Sequence, residues 1–328
     1  MRAFEYVSTS EVEDALAASE RAGAAYLAGG TTQVDLMKDG ILTPERLVDI
    51  TRLPLRGVLG TGSSLHVGAL TTMEELAADP LVKHRLPVVR EALVLGASVQ
   101  LRNMATIGGN LLQRTRCRYF RDPAVAACNK RAPGSGCAAV TGPARMHAVL
   151  GVSERCIALH ASDLAVALVA LDALVHLQSA RGTRTVPLTE FYLEAGTSPD
   201  LETVLAHGEL ITSVEIPLPA KTTRSGYLKV RDRVSYEFAL VSVAAALEIT
   251  DGVVRTARIG LGGVGSKPWR ARAAEEVLRG APATVSSYRE AADAAVTGAW
   301  TVPGTAFKVE LAERAVVRQL QTVAEMSR

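Results

Sequence analysis

The stretch from Ala28 to Leu53, AGGTTQVDLMKDGILTPERLVDITRL, decides the fold. Ala24 to Ala28 reads as a strand that runs into Gly29-Gly30. Thr31 to Lys38 then reads as a helix, with Gly40 as its stop. Leu47 to Ile50 is the next strand. Upstream, residues 3–7 form a first strand, and Ser10 with Glu13 has capping-box spacing for a helix to about Arg21. The whole is a β-α-β-α-β unit with a glycine turn at the end of its second strand. Paired glycines let the backbone turn sharply and aim amide N–H groups at an anion, and the following helix adds the positive end of its dipole. Thr31 and Thr32 add hydroxyls. This is the equipment a pyrophosphate needs, although a plain turn has the same look. The stretch lacks the G-x-G-x-x-G fingerprint, and the chain is expected to hold none elsewhere.

A second unit starts near residue 57. Leu65 to Val67 is a short strand, Thr71 and Glu74 are spaced as a capping box, and Val88 to Leu95 reads as a helix. Thr106-Ile107-Gly108-Gly109-Asn110 repeats the logic of the first glycine loop. Ser162 caps a helix of small apolar residues, DLAVALVALDA. Residues 175–178 and 183–186 pair around Arg181-Gly182, and Ile211 to Pro217 is a further strand. Residues 219–225 form a linker. Beyond it, Leu240 to Thr250 and Val253 to Leu261 flank Asp251-Gly252, a strong hairpin signal. Helical stretches follow near 270–279, 284–295 and 306–324.

All four cysteines, Cys117, Cys128, Cys137 and Cys156, fall in one window rich in Gly, Pro and Arg. Their spacing, C-x10-C-x8-C-x18-C, matches neither a zinc finger nor a short ferredoxin run. Ligands need only converge in space, so from spacing alone a shared metal centre and buried small hydrophobes stand as equal alternatives. For Asp163 the plain reading is charge stabilisation of a helix start. For Lys229 it is an exposed strand lysine, and for His147 and His160 it is hydrogen-bonded loop residues.

The 36 basic and 34 acidic residues of the 328 balance to +2, without the concentrated basic patch of a nucleic-acid binder. Aromatics make up 4%, so Ala, Val and Leu must build the core. The longest apolar run, Leu164 to Leu171, is far short of the ~20 residues that span a bilayer. The N-terminal residues lack the apolar core of a signal peptide. The expectation is a cytoplasmic protein, in which cysteines favour metal or redox chemistry over disulfides.

Taken together, these segments resemble the FAD-binding medium subunits of molybdenum hydroxylases: the xanthine dehydrogenase, carbon monoxide dehydrogenase and aldehyde oxidoreductase group. The likeness rests on the opening stretch, on LRNMATIGGNLLQRTRCRYFRD, on LITSVEIPLP and on YLKVRDRVSYEFALVSVAAAL, and covers nearly the whole chain. The cysteine window is similar to that of the periplasmic aldehyde oxidoreductases, whose flavin subunit carries an extra [4Fe–4S] cluster. The resemblance implies an α+β fold of the vanillyl-alcohol-oxidase/CO-dehydrogenase flavoprotein type. Two FAD-binding subdomains would span 1–56 and 57–220, the second with an iron–sulfur insertion at 114–158. A small C-terminal α/β domain would span 221–328.

The resemblance also implies site residues. Leu27, Ala28, Gly29, Gly30, Thr31, Thr32 and Gln33 would wrap the FAD pyrophosphate. Gly96, Ala97, Thr106, Gly109 and Asn110 would form a second wall, Asp163 would approach the flavin's polar end, and Ile211 and Lys229 would make weaker contacts. Cys117, Cys128, Cys137 and Cys156 would hold the cluster. Thr32-Gln33 departs from the Asn and aliphatic pair common in that subgroup. No residue is assigned to act on an organic substrate. The expected partners are a large molybdenum-cofactor subunit, a small [2Fe–2S] subunit and an external electron acceptor, with export possible on a partner's signal. A self-contained flavin oxidoreductase and a zinc-binding scaffold are the rival readings.

Overall fold

The computed structural model describes residues 1–196 and 198–326. Its strands form three sheets. In the first, β1 (Glu5–Ser8), β2 (Ala24–Leu27) and β3 (Arg46–Asp49) are parallel in the order β1-β3-β2. Helices Val12–Ser19 and Gln33–Lys38 make the crossovers, as the β-α-β-α-β reading requires. The expected capping box at Ser10 does not form: Glu11 holds the cap position, without a side-chain bond.

The second sheet joins β4 (Val58–Gly60), β5 (Ser64–Gly68), β6 (Leu174–Ser179), β7 (Gly182–Pro187) and β8 (Leu210–Pro217) in the order β4-β5-β8-β6-β7, all antiparallel. Alternation along these strands sends Leu65, Val67, Val175, Leu177, Val214 and Ile216 into the largest core. Helices Met73–Ala78, Pro87–Leu95 and Asp163–Ala170 share that core. Thr72, not Thr71, caps the first of these and forms the box with Glu75. Both threonines have the required spacing, but the Thr71 hydroxyl is committed to Gly57, donating to its carbonyl (3.0 Å) and accepting from its amide (2.9 Å).

The third sheet, in the order β12-β11-β10-β9, holds β9 (Arg224–Val230), β10 (Val241–Thr250), β11 (Val253–Gly262) and β12 (Trp269–Arg270). The β10–β11 hairpin turns at Asp251 and Gly252, both with positive φ (53° and 72°), the requirement of a type I′ turn. Helices Arg272–Leu278, Val285–Ala295 and Phe307–Glu325 pack on this sheet around a second core of Ala, Val and Leu. The helix Asp163–Ala170, buried from Leu164 onward, joins the halves. A side chain at Gly260 would stand 2.5 Å from the Val166 carbonyl, so glycine lets strand and helix meet there. The expectation that no G-x-G-x-x-G spacing occurs is corrected: Gly260 to Gly265 has it, but it ends an antiparallel strand and opens no helix, so the context of a dinucleotide fingerprint is missing. No helix among the described residues is long and apolar enough to cross a membrane.

Candidate functional site: a two-loop cleft beside a cysteine window

The first glycine loop is built for close approach. β2 ends where Ile50 N–H donates to the Leu27 carbonyl (3.0 Å). A Cβ on Gly29 would fall 1.8 Å from the carbonyl oxygen of Met104, so the two walls of the cleft meet backbone to backbone. Gly30 has φ +70°, a conformation that favours glycine. Among the described residues, nothing takes the amide N–H groups of Thr31, Thr32 and Gln33, which open the helix Gln33–Lys38. Uncommitted amides at a helix start are the donors an anion needs.

The second loop has the same sequence logic and a different use. Its amides are consumed internally: Ile107 donates to the Thr71 carbonyl (2.9 Å), Gly108 to that of Ala69 (2.8 Å), and Asn110 to that of Thr106 (2.8 Å). Gly109 N–H goes to the Thr106 hydroxyl (3.2 Å). The expectation of a second anion-binding nest is therefore corrected. This loop is a wall, and Asn110 braces it: its Oδ1 accepts from the Ser162 hydroxyl (2.5 Å), which also caps the helix behind.

At the far end lies a buried ion pair. Lys229 Nζ donates to Asp163 Oδ2 (2.7 Å) and to the Leu95 carbonyl (3.1 Å). Tyr227 OH donates to Asp163 Oδ1 (2.8 Å). The Lys229 side chain is 1% exposed, so it is not the exposed strand lysine of the plain reading. Burial pushes the Asp163 carboxyl above its ordinary range, against the pull of Lys229.

The cysteine window wraps the outside of the first loop's helix. Arg121 pairs with Asp35 (2.7 Å) and Arg116 pairs with it at 3.1 Å. Cys117 packs against the small apolar clusters that hold Cys128 and Cys156, and Cys128 bridges Cys137 backbone to backbone. All four are free thiols. Burial pushes the Cys117 thiol up to about 11, with the neighbouring Cys156 and Cys128 adding to the rise. His147 Nε2 lies 3.2 Å from Cys117 Sγ. Among the described residues no three Cys, His, Asp or Glu ligand atoms of this window lie within 4.8 Å of one another.

A family model described as "FAD binding domain in molybdopterin dehydrogenase" matches residues 2–219, and "CO dehydrogenase flavoprotein C-terminal domain" matches residues 226–323. The chain is an FAD-binding subunit of the molybdenum hydroxylase family. It is 46% identical to the aldehyde oxidoreductase FAD-binding subunit PaoB of Escherichia coli over 98% of both chains. It is 30% identical to the carbon monoxide dehydrogenase medium chain of Hydrogenophaga pseudoflava over 89% of this chain and 86% of that one. A solved structure of carbon monoxide dehydrogenase from the same organism superposes with a TM-score of 0.76 at 28% identity, over 98% of this chain and 97% of that one.

In this FAD subunit nearly every expected FAD-contact residue lines a cleft of two adjoining arms, and the four cysteines line neither. Ala28, Gly29, Gly30, Gln33, Thr106 and Ile211 line one arm. Gly96, Ala97, Asn110, Asp163 and Lys229 line the other, and Thr31, Thr32 and Gly109 line both. The Leu27 side chain is the exception and lines neither. Sequence reasoning missed Gln113, Arg114 and Arg116, which also face the cleft. Their signal was present as the QRTR run between the second loop and Cys117. It also missed Tyr236 and Phe238, which close the outer arm, with the Arg116 guanidinium 5.0 Å over the Phe238 ring.

Proposed function

We propose that the cleft holds FAD with its pyrophosphate at the Thr31–Gln33 amides, that the four cysteines hold a [4Fe–4S] cluster, and that the chain is the electron-transfer subunit of a heterotrimer. A large partner with the molybdenum cofactor would oxidise the substrate, and a small [2Fe–2S] partner would deliver the electrons that leave here for an external acceptor. The observation that carries this reading is the cleft itself: uncommitted amides at one end, a buried Asp163–Lys229 pair at the other, and a side-chain-poor wall between. Bound flavin supplies one- and two-electron chemistry; the protein sets its position and potential. The first loop would neutralise the diphosphate through backbone dipoles, and the Asp163–Lys229 pair would present fixed polarity to the ring. Likeness to an aldehyde oxidoreductase subunit over 98% of the chain supports an aldehyde as the substrate of the assembly.

The spacing of the ligand atoms in the window argues against a single zinc ion among the described residues. Tetrahedral Zn–S bonds of about 2.3 Å place sulfurs about 3.8 Å apart, closer than this window brings any three ligand atoms. A cuboidal cluster spreads its four thiolates more widely. Its charge would also deprotonate Cys117 and Cys156, whose thiols burial pushes up.

The test is an anaerobic absorption spectrum with FAD, iron and acid-labile sulfide measured on one sample. One FAD with about four irons and four sulfides per chain is expected. Flavin without iron in an oxygen-protected sample overturns the cluster, and absence of both overturns the whole reading.

A further inference from the structure

On the outer face of the five-stranded sheet, away from the cleft and the cysteines, three side chains converge. His66 on β5 sits directly across from Glu215 on β8. His176 on β6 lies opposite Ser213, diagonal to Glu215. Cross-strand and diagonal positions on one face are within reach of long side chains. His176 Nε2 lies 3.2 Å from Glu215 Oε2, and His66 Nε2 lies 3.8 Å from Glu215 Oε1. The two imidazoles thus address different oxygens of one carboxylate. All three ligand atoms fall within 4.8 Å of one another, the only such group of His, Cys, Asp and Glu among the described residues.

Two further features prepare this site. His176 Nδ1 is hydrogen-bonded to the Thr185 hydroxyl on β7 (3.0 Å), and a bond at one ring nitrogen orients the other toward a metal. The β6–β8 register also shifts at His176: Ser213 is its partner, while the next residue, Leu177, pairs with Ile211. The skipped residue, Thr212, donates its hydroxyl to the His176 carbonyl (3.2 Å). Such bulges re-aim side chains and recur beside functional sites.

We propose that His66, His176 and Glu215 form a binding site for a divalent transition-metal ion of the Zn²⁺ type, clamping β5, β8 and β6 together. Two imidazoles and one carboxylate suit Zn²⁺, Co²⁺ or Ni²⁺ and do not suit Mg²⁺ or Ca²⁺. The half-buried position leaves a coordination site open to solvent.

The test titrates the full chain, with its cofactors bound, with Co²⁺ and then displaces it with Zn²⁺. One equivalent is expected, with the absorption of a nitrogen/oxygen site and no sulfur-to-cobalt charge transfer. Affinity should fall at least tenfold in His66→Ala, His176→Ala and Glu215→Gln, with flavin content unchanged. The exposed His84→Ala should bind as wild type. Thr185→Val, which leaves all three ligands in place, should weaken binding about tenfold, so the site remains testable if a ligand variant misfolds. No binding by the wild-type chain, binding retained in the ligand variants, or a cobalt spectrum dominated by sulfur would each overturn the proposal.

Discussion

Lys229, on the edge strand of the C-terminal sheet, donates to Asp163, the first residue of the helix at the centre of the FAD-binding half, at 2.7 Å. The contact ties the two halves of the chain together at one end of the cleft. The pair is nearly sealed, with side chains 1% and 10% exposed, so neither charge has water to fall back on.

Removing one partner should therefore be much worse than removing both. Lys229→Met should destabilise the chain by about 3–5 kcal/mol, because it leaves Asp163 buried without its counter-charge. Adding Asp163→Asn should restore much of that loss. Urea unfolding of the two single variants and the double variant checks this, with flavin content read alongside. Strictly additive losses would show that the two residues do not act as a pair.

The two glycines of the first loop should fail differently. Gly30→Ala meets a backbone penalty of about 1–2 kcal/mol from its left-handed φ. Gly29→Ala pushes against the Met104 carbonyl and must part the two walls of the cleft. Flavin-to-protein absorbance should fall further in Gly29→Ala than in Gly30→Ala. The reverse order would mean that wall contact does not shape the binding site.

In the cysteine window, Cys128→Ser should remove the iron while leaving most of the FAD. Cys128 is buried beside Cys117, and it lines neither arm of the cleft. Iron and sulfide assays on anaerobically purified variant decide the matter. Undiminished iron would take Cys128 out of the ligand set.

His160 gives a pH dependence. Its Nε2 is buried without a partner among the described residues, and burial lowers its pKa to about 3 from an ordinary 6.5. As pH falls below 6.5 the unfolded chain takes up this proton and the folded chain does not. Its contribution to stability is complete above pH 6.5 and is lost on acidification, by up to about 1.4 kcal/mol per pH unit, until the folded pKa is reached. Denaturant unfolding from neutral pH to about pH 5 should show a shallower decline in His160→Phe than in wild type. Equal slopes would assign the acid sensitivity to other groups.

Elements whose signals lie within a few residues were legible in the sequence. The β-α-β-α-β unit, the Ser162 cap and the Asp251-Gly252 turn are dictated by local hydrogen bonding and backbone dihedrals, and they stand where those signals put them. The two glycine loops and the clustering of all four cysteines were visible for the same reason. Tertiary structure alone decided which of them do what. Thr71 and Thr72 have equal claims to a cap until Gly57, fourteen residues from Thr71, engages the Thr71 hydroxyl. The two glycine loops look alike until the carbonyls of Ala69 and Thr71 consume amides of the second. Lys229 acquires its partner only where the edge strand of the C-terminal sheet meets the helix Asp163–Ala170 of the other half. His66, His176 and Glu215 meet only through sheet order: β8 comes last of its sheet in sequence yet pairs between β5 and β6. Short-range preferences set the conformation of each segment. Convergence of distant side chains depends on strand register and on the burial of apolar faces, which no single segment encodes.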